Sequence, residues 1–132
     1  MRNLRLFAPV VLRIGIALVF LWFGYDQFRD PSAWTAYVPQ FAVTISMLSA
    51  TTLVHINAAF ELIFGAALML GFFTRFVAFF LTLHMFDIMF IVGWDAVGVR
   101  DFGLSIATTA IWLFGPDWFS LDRFFKEKAP SL

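Results

Sequence analysis

Three apolar stretches, each long enough to cross a lipid bilayer, govern what this chain can become. A helix rises about 1.5 Å per residue, so about 20 mostly apolar residues are needed to span the hydrocarbon core. Residues 6–28 carry only Arg13 before Asp26, residues 53–73 carry His55, Asn57 and Glu61, and residues 76–94 carry His84 and Asp87. A fourth stretch, 101–116, is shorter, but Asp101 and Trp118 suit the two interfaces and Gly115-Pro116 ends it. Lipid offers no partner to a bare peptide group, so such spans close their hydrogen bonds internally as helices. The expectation is an all-α membrane protein, one domain over 1–132 built as a four-transmembrane-helix bundle.

Composition agrees with lipid as the solvent. Hydrophobic residues make up 61% and charged residues 14%, against roughly 25% charged in an average soluble domain. Nineteen Phe and five Trp suit helices facing acyl chains and a belt of rings at the headgroups. A net charge of zero argues against a nucleic-acid partner. With no Cys, the chain alone cannot build a disulfide, a thiolate metal site, an iron-sulfur cluster or a dithiol relay. No A-x-A-like cleavage site follows Gly24, so the first span is expected to stay as a signal anchor.

Between the first two clear spans, Pro31 and Pro39 interrupt a moderately apolar segment. Residues 38–50 are too few to span, which leaves an interfacial helix, a re-entrant helix or an extension of the second span. The tail, 118–128, alternates Leu121, Phe124 and Phe125 with Asp122, Arg123, Lys126 and Lys128, the pattern of an amphipathic helix on a membrane surface. Cations set orientation, because cytoplasmic loops are enriched in them. Placing the N-terminus inside puts Arg2, Arg5, Arg75, Arg123, Lys126 and Lys128 in the cytoplasm and only Arg29 and Arg100 outside. Both termini are therefore expected to be cytoplasmic.

An ionisable side chain at mid-bilayer costs about 2.5 to 3.5 kcal/mol even on the lenient insertion scale, so each needs a partner or a purpose. The candidates are Arg13, Asn57, Glu61, His84 and Asp87, with Asp26, Gln27, Arg100 and Asp101 at an outer mouth. Counting the helical rise from Arg5, Gly71 and Arg75 puts Arg13 about 12 Å deep, Glu61 about 15 Å and His84 about 13 to 14 Å, with Asn57 and Asp87 a little beyond. Two readings follow. Arg13 and Glu61 form a neutralising pair that fixes register, with His84 and Asp87 as an i, i+3 clip; or the ladder lines a polar cleft that binds a small redox carrier or relays protons. No metal is assigned, since the repeated Glu-x-x-His pattern of bundle di-metal sites is missing. Gly103, Ala107 and Ala110 form a small-residue face expected to pack within the chain, with a homodimer as the second reading. Asp101, Ser105, Thr108 and Trp112 share the opposite face, whose hydroxyls are expected to bond their own backbone.

RIGIALVFLWFGYDQF (Arg13 to Phe28), ELIFGAALMLGFFTR (Glu61 to Arg75), GVRDFGLSIA (Gly98 to Ala107) and GPDWFSLD (Gly115 to Asp122) together resemble the DoxX family of small prokaryotic membrane proteins. The matched positions are Arg13, Gly24, Glu61, Gly65, Arg75, Asp101 and Asp122; where this chain has Gln27, many members carry Lys. The resemblance implies a four-helix protein of the prokaryotic inner membrane, in a family associated with quinone-linked oxidation of sulfur compounds and with membrane partners of soluble redox enzymes. The leading expectation is an accessory subunit with no redox centre of its own and no covalent cofactor, binding a quinone beside a soluble or membrane redox partner. A non-catalytic scaffold or anchor, and a small-solute or proton transporter acting as a dimer, are the alternatives.

Overall fold

A computed structural model of the chain describes residues 4–128. Arg2, counted above among the cations, lies outside the described residues. Four helices are long and apolar enough to cross a membrane: α1 (Leu4–Arg29), α3 (Ala50–Leu70), α4 (Thr74–Val92) and α5 (Ala96–Phe114). A 3₁₀ helix (Pro31–Tyr37) and the short α2 (Gln40–Ser46) follow α1, and α6 (Leu121–Lys128) closes the described chain. The spans alternate in direction, so the start of α1 and α6 lie at one end of the bundle, the terminal end, and the 3₁₀–α2 segment lies at the other, the loop end.

Local chemistry sets these boundaries. Ser49 caps α3 by accepting from the Thr52 N–H, and Asp95 caps α5 by accepting from Val97 and Gly98 at 2.8 Å each, satisfying donors that a first helical turn leaves open. Gly71, in the left-handed conformation (φ 67), ends α3, and Gly115, at positive φ (81) in an extended conformation, ends α5, backbone states that glycine adopts without strain. Phe73 also has a positive φ, 47°. The Asp122 carboxylate holds it there, accepting from the Phe73 and Thr74 N–H groups at 2.7 Å each and so tying α6 to the α3–α4 turn.

The bundle is two close pairs, α1 against α3 and α4 against α5. Lipid supplies no hydrophobic drive between helices, so small residues that let backbones approach become the contact. A Cβ on Gly24 would lie 2.9 Å from Leu62 Cγ and 3.0 Å from the Ala58 oxygen, and one on Gly65 would lie 3.1 Å from Phe20 Cβ. The buried core is a thin seam of Ala17, Phe20, Leu68, Val77, Ala78, Leu81, Met85 and Ile111. Large apolar residues such as Leu18, Trp22, Ile63 and Phe90 face outward, as a lipid solvent requires.

The 38–50 segment takes a form of its own. α2 has seven residues, about 10 Å of helix, and Met47 in the left-handed region (φ 58) separates it from α3, so it is no extension of the second span. The fourth span starts at Ala96 rather than 101, which moves Asp101 from the interface into the helix, where it is fully buried. Of Gly103, Ala107 and Ala110, only Ala107 is half-buried; Gly103 and Ala110 are exposed and no described atom lies within 4 Å of a Gly103 Cβ, so the face does not pack within the chain as a whole. The opposite face behaves as expected, with Ser105 Oγ donating to the Asp101 carbonyl and Thr108 Oγ1 to the Leu104 and Ser105 carbonyls. The amphipathic tail begins later than 118, since 115–120 is loop and turn before α6.

Candidate functional site

Arg13 and Glu61 do not meet. The Arg13 guanidinium is 2% exposed; Nε donates to Asp117 Oδ2 at 2.6 Å and Nη2 to Asp117 Oδ1 at 3.2 Å. Nη1 donates to the Leu68 carbonyl at 2.9 Å and to that of Met69. Asp117 is 2% exposed in turn and also accepts the Phe119 N–H at 2.9 Å. Arg13 thus neutralises Asp117 and takes up carbonyls at the open end of α3, locking α1, α3 and the segment after α5 together at the terminal end. The expected Arg13–Glu61 level fails because α1, with 26 residues, runs about two turns past the end of α3. Arg5 therefore does not mark the same height as Gly71. Asp117, missed as a site residue, sits in the quoted GPDWFSLD stretch, and a buried arginine's need for a carboxylate was the signal that could have found it.

The same offset brings Gln27, expected at the outer mouth, down to Glu61. Gln27 Nε2 donates to Glu61 Oε2 at 2.9 Å, and Asn57 Nδ2 donates to Glu61 Oε1 at 3.1 Å and to Gln27 Oε1 at 2.7 Å. From α4, His84 Nε2 stands 3.3 Å from Glu61 Oε1, its ring tilted over Phe60 with centroids 4.7 Å apart. Glu61 is 4% exposed, so three helices contribute a polar group to one buried carboxylate. Buried networks of this kind hold their members in a single arrangement when every partner is satisfied. The expected His84–Asp87 clip is not formed; His84 turns to Glu61, while Asp87 is exposed.

This network forms part of the wall of a cavity of about 420 Å³ between the two helix pairs, in their loop-end half. That volume lies in the range of small-molecule sites. Phe20, Phe23, Met85 and Ile88 give it apolar walls, the 3₁₀–α2 segment covers it with Trp34, Tyr37 and Phe41, and Asp87 lines it as well. α5 adds Arg100 and Asp101. The Arg100 Nε and Nη2 both lie 2.7 Å from Asp101 Oδ1, and the guanidinium carbon sits 4.6 Å above the Phe23 ring. Asp101 Oδ2 is buried with no hydrogen-bond partner among the described residues, a state that costs about 1 to 3 kcal/mol. Asp26 is spent at the rim, accepting from Trp34 Nε1 at 3.0 Å and so fastening the 3₁₀ helix to α1.

Of the sequence candidates, the structure gathers Gln27, Asn57, Glu61, His84, Asp87, Arg100 and Asp101 around one cavity and sets Arg13 apart. Trp34 is the contributor that periodicity could not show, because it lies outside the spans. Among the described residues no group of three His, Cys, Asp or Glu is placed to hold a metal ion. The chain finds no match among curated proteins or solved structures. A sequence model of the DoxX family, described simply as DoxX, matches residues 8–94, more than half of the chain. That stretch includes most of α1 and all of α3 and α4 with the whole Glu61 network, and on it the chain belongs to the DoxX family.

Proposed function

We propose that this DoxX-family chain is a small membrane subunit of a quinone-linked redox system, holding the headgroup of a quinone-like carrier in the loop-end cavity while a partner protein handles the electrons. One juxtaposition carries the reading: a buried carboxylate, Glu61, held by Gln27, Asn57 and His84, in the wall of an otherwise largely aromatic and aliphatic cavity of about 420 Å³. A flat apolar ring with polar edges is complementary to such a space, whereas a purely structural ion pair has no use for the room beside it. Gln27 and Asn57 fix the carboxylate, and Glu61, His84 and Asp87 take up or release the carrier's protons. Arg100, not Arg13, is the cation at the cavity. The weight of Lys and Arg at the terminal end supports cytoplasmic termini in a prokaryotic inner membrane, with the cavity in the outer half of the bilayer.

Binding of a short-chain quinone to the purified chain in nanodiscs, read as quenching of tryptophan fluorescence with Trp34→Phe identifying the cavity signal, tests the reading. Glu61→Gln and His84→Ala are each expected to weaken binding about tenfold, the effect of one hydrogen bond to a charged group. Unchanged affinity in both variants removes the carrier and leaves the scaffold or anchor in its place.

A further inference from the structure

We infer that the terminal end of the bundle holds a site for one anionic phospholipid, with the headgroup at Arg5 and the glycerol end of one acyl chain in a groove between α1 and α5. The site lies at the opposite end from the loop-end cavity and is independent of the carrier reading.

The groove has a volume of about 280 Å³. On α1 it is lined by Arg5, Ala8, Pro9 and Leu12, which at spacings of three, four and seven residues share one helical face. Another side of the same turns is already engaged, Phe7 stacking on Phe119 with centroids 6.0 Å apart. Ala110, Ile111 and Phe114 form the wall from α5. Ala8, Ala110 and Phe114 are exposed, so the groove opens to the surroundings of the bundle. Its polarity along the helix axis is that of a lipid: Arg5 stands at the outer end, and Leu12, about 10 Å further in by helical rise, stands among apolar neighbours. Arg13 and Asp117 border the groove but are spent on each other, whereas Arg5 has no carboxylate partner among the described residues.

Charge favours the same occupant. Among the described residues the terminal end carries Arg5, Arg13, Arg75, Arg123, Lys126 and Lys128 against Asp117, Asp122 and Glu127, while the loop-end half carries Arg29 and Arg100 against all the other carboxylates. The terminal-end carboxylates are engaged: Asp117 by Arg13, Asp122 by two backbone N–H groups and Glu127 by Arg123. A second arginine comes close to the outer end, since Arg75 Nε would lie 2.5 Å from a Cβ on Gly115, a residue that lines the groove. Basic pockets between membrane helices bind anionic headgroups, and a guanidinium offers a phosphate two parallel N–H donors. A zwitterionic lipid brings a cation of its own and gains less. An acidic peptide would leave its backbone amides unpaired against these apolar walls.

Native mass spectrometry of the full chain, released from nanodiscs of equal parts phosphatidylglycerol and phosphatidylcholine, tests the assignment. One phosphatidylglycerol is expected to stay bound, preferred about tenfold over phosphatidylcholine. Arg5→Gln is expected to cut that preference about fivefold, the effect of one cation near a membrane surface. Ala110→Phe fills the groove and is expected to release the lipid whatever its headgroup. Arg5 and Ala110 are both exposed, so neither substitution removes a buried contact. Lys126→Gln, in α6, is expected to leave the preference unchanged. Equal retention of the two lipids by the unaltered chain overturns the inference. A preference that falls as far in Lys126→Gln as in Arg5→Gln, or a lipid that survives Ala110→Phe, overturns it too, since attraction would then be diffuse and not seated in the groove.

Discussion

Removing one member of a buried ion pair leaves the other as an uncompensated charge in a low dielectric, and Arg13 with Asp117 is where this chain is most exposed to that cost. Both are 2% exposed, and Arg13 also satisfies two carbonyls at the end of α3. Asp117→Asn is expected to destabilise the bundle by about 3 kcal/mol, seen as an earlier midpoint in thermal unfolding in detergent, while affinity for a cavity ligand stays within twofold. Glu61→Gln is expected to do the reverse: a smaller loss of stability, about 1 kcal/mol, with the larger effect on binding. A common loss of both properties in both variants would mean that the two clusters act as one unit after all. That Arg13, Glu61 and His84 are buried or half-buried was readable from their places in apolar windows; which of them meet was not. Pairing depends on the relative heights of α1 and α3, and Gln27 meets Glu61 only because α1 is offset by about two turns.

At the scale of the helices, α1 and α3 come into close contact at Gly24 and Gly65. Both glycines belong to the quoted family stretches, and Gly24 stands on the stripe with Arg13 and Ala17, so the inward face of α1 was legible from spacing alone. Gly24→Ala forces a methyl group to within 3.0 Å of the Ala58 carbonyl oxygen. It is expected to cost about 1 to 3 kcal/mol and, by parting α1 from α3, to loosen Gln27 from Glu61, so ligand affinity falls together with thermal stability. Unchanged stability would show that the helices do not approach this closely. The turn elements were harder to read. Asp122 supports two backbone N–H groups 48 and 49 residues away, a relation that no local pattern encodes. Asp122→Ala is expected to cost about 1 to 2 kcal/mol, as loss of a helix cap does, and to speed proteolysis at α6; a cleavage rate equal to that of the unaltered chain would sink this role. The 3₁₀–α2 segment was ambiguous for a related reason: its apolar residues serve partly to cover a cavity, and no helical or strand period describes a cover.

For the molecule as a whole, four spans place α6 on the side where α1 begins, and the cation count gives the expectation for which side that is. The count of spans was legible because lipid thickness sets it directly; the cavity was not, since it arises from how two helix pairs stand apart. Absence of cysteine makes the topology open to a clean experiment, because every introduced thiol is the only one. Ser32→Cys lies in the 3₁₀ helix at the loop end and Lys126→Cys in α6 at the terminal end; both positions are exposed. With a membrane-impermeant maleimide on intact cells, Ser32→Cys is expected to label at once and Lys126→Cys only after permeabilisation. The opposite pattern reverses the orientation and puts the cavity in the cytoplasmic half of the bilayer, where a carrier would meet a cytoplasmic partner. Labelling of both from one side contradicts the four-span bundle itself, because an even number of crossings returns α6 to the side where α1 began, while Ser32, one crossing from that start, must lie opposite.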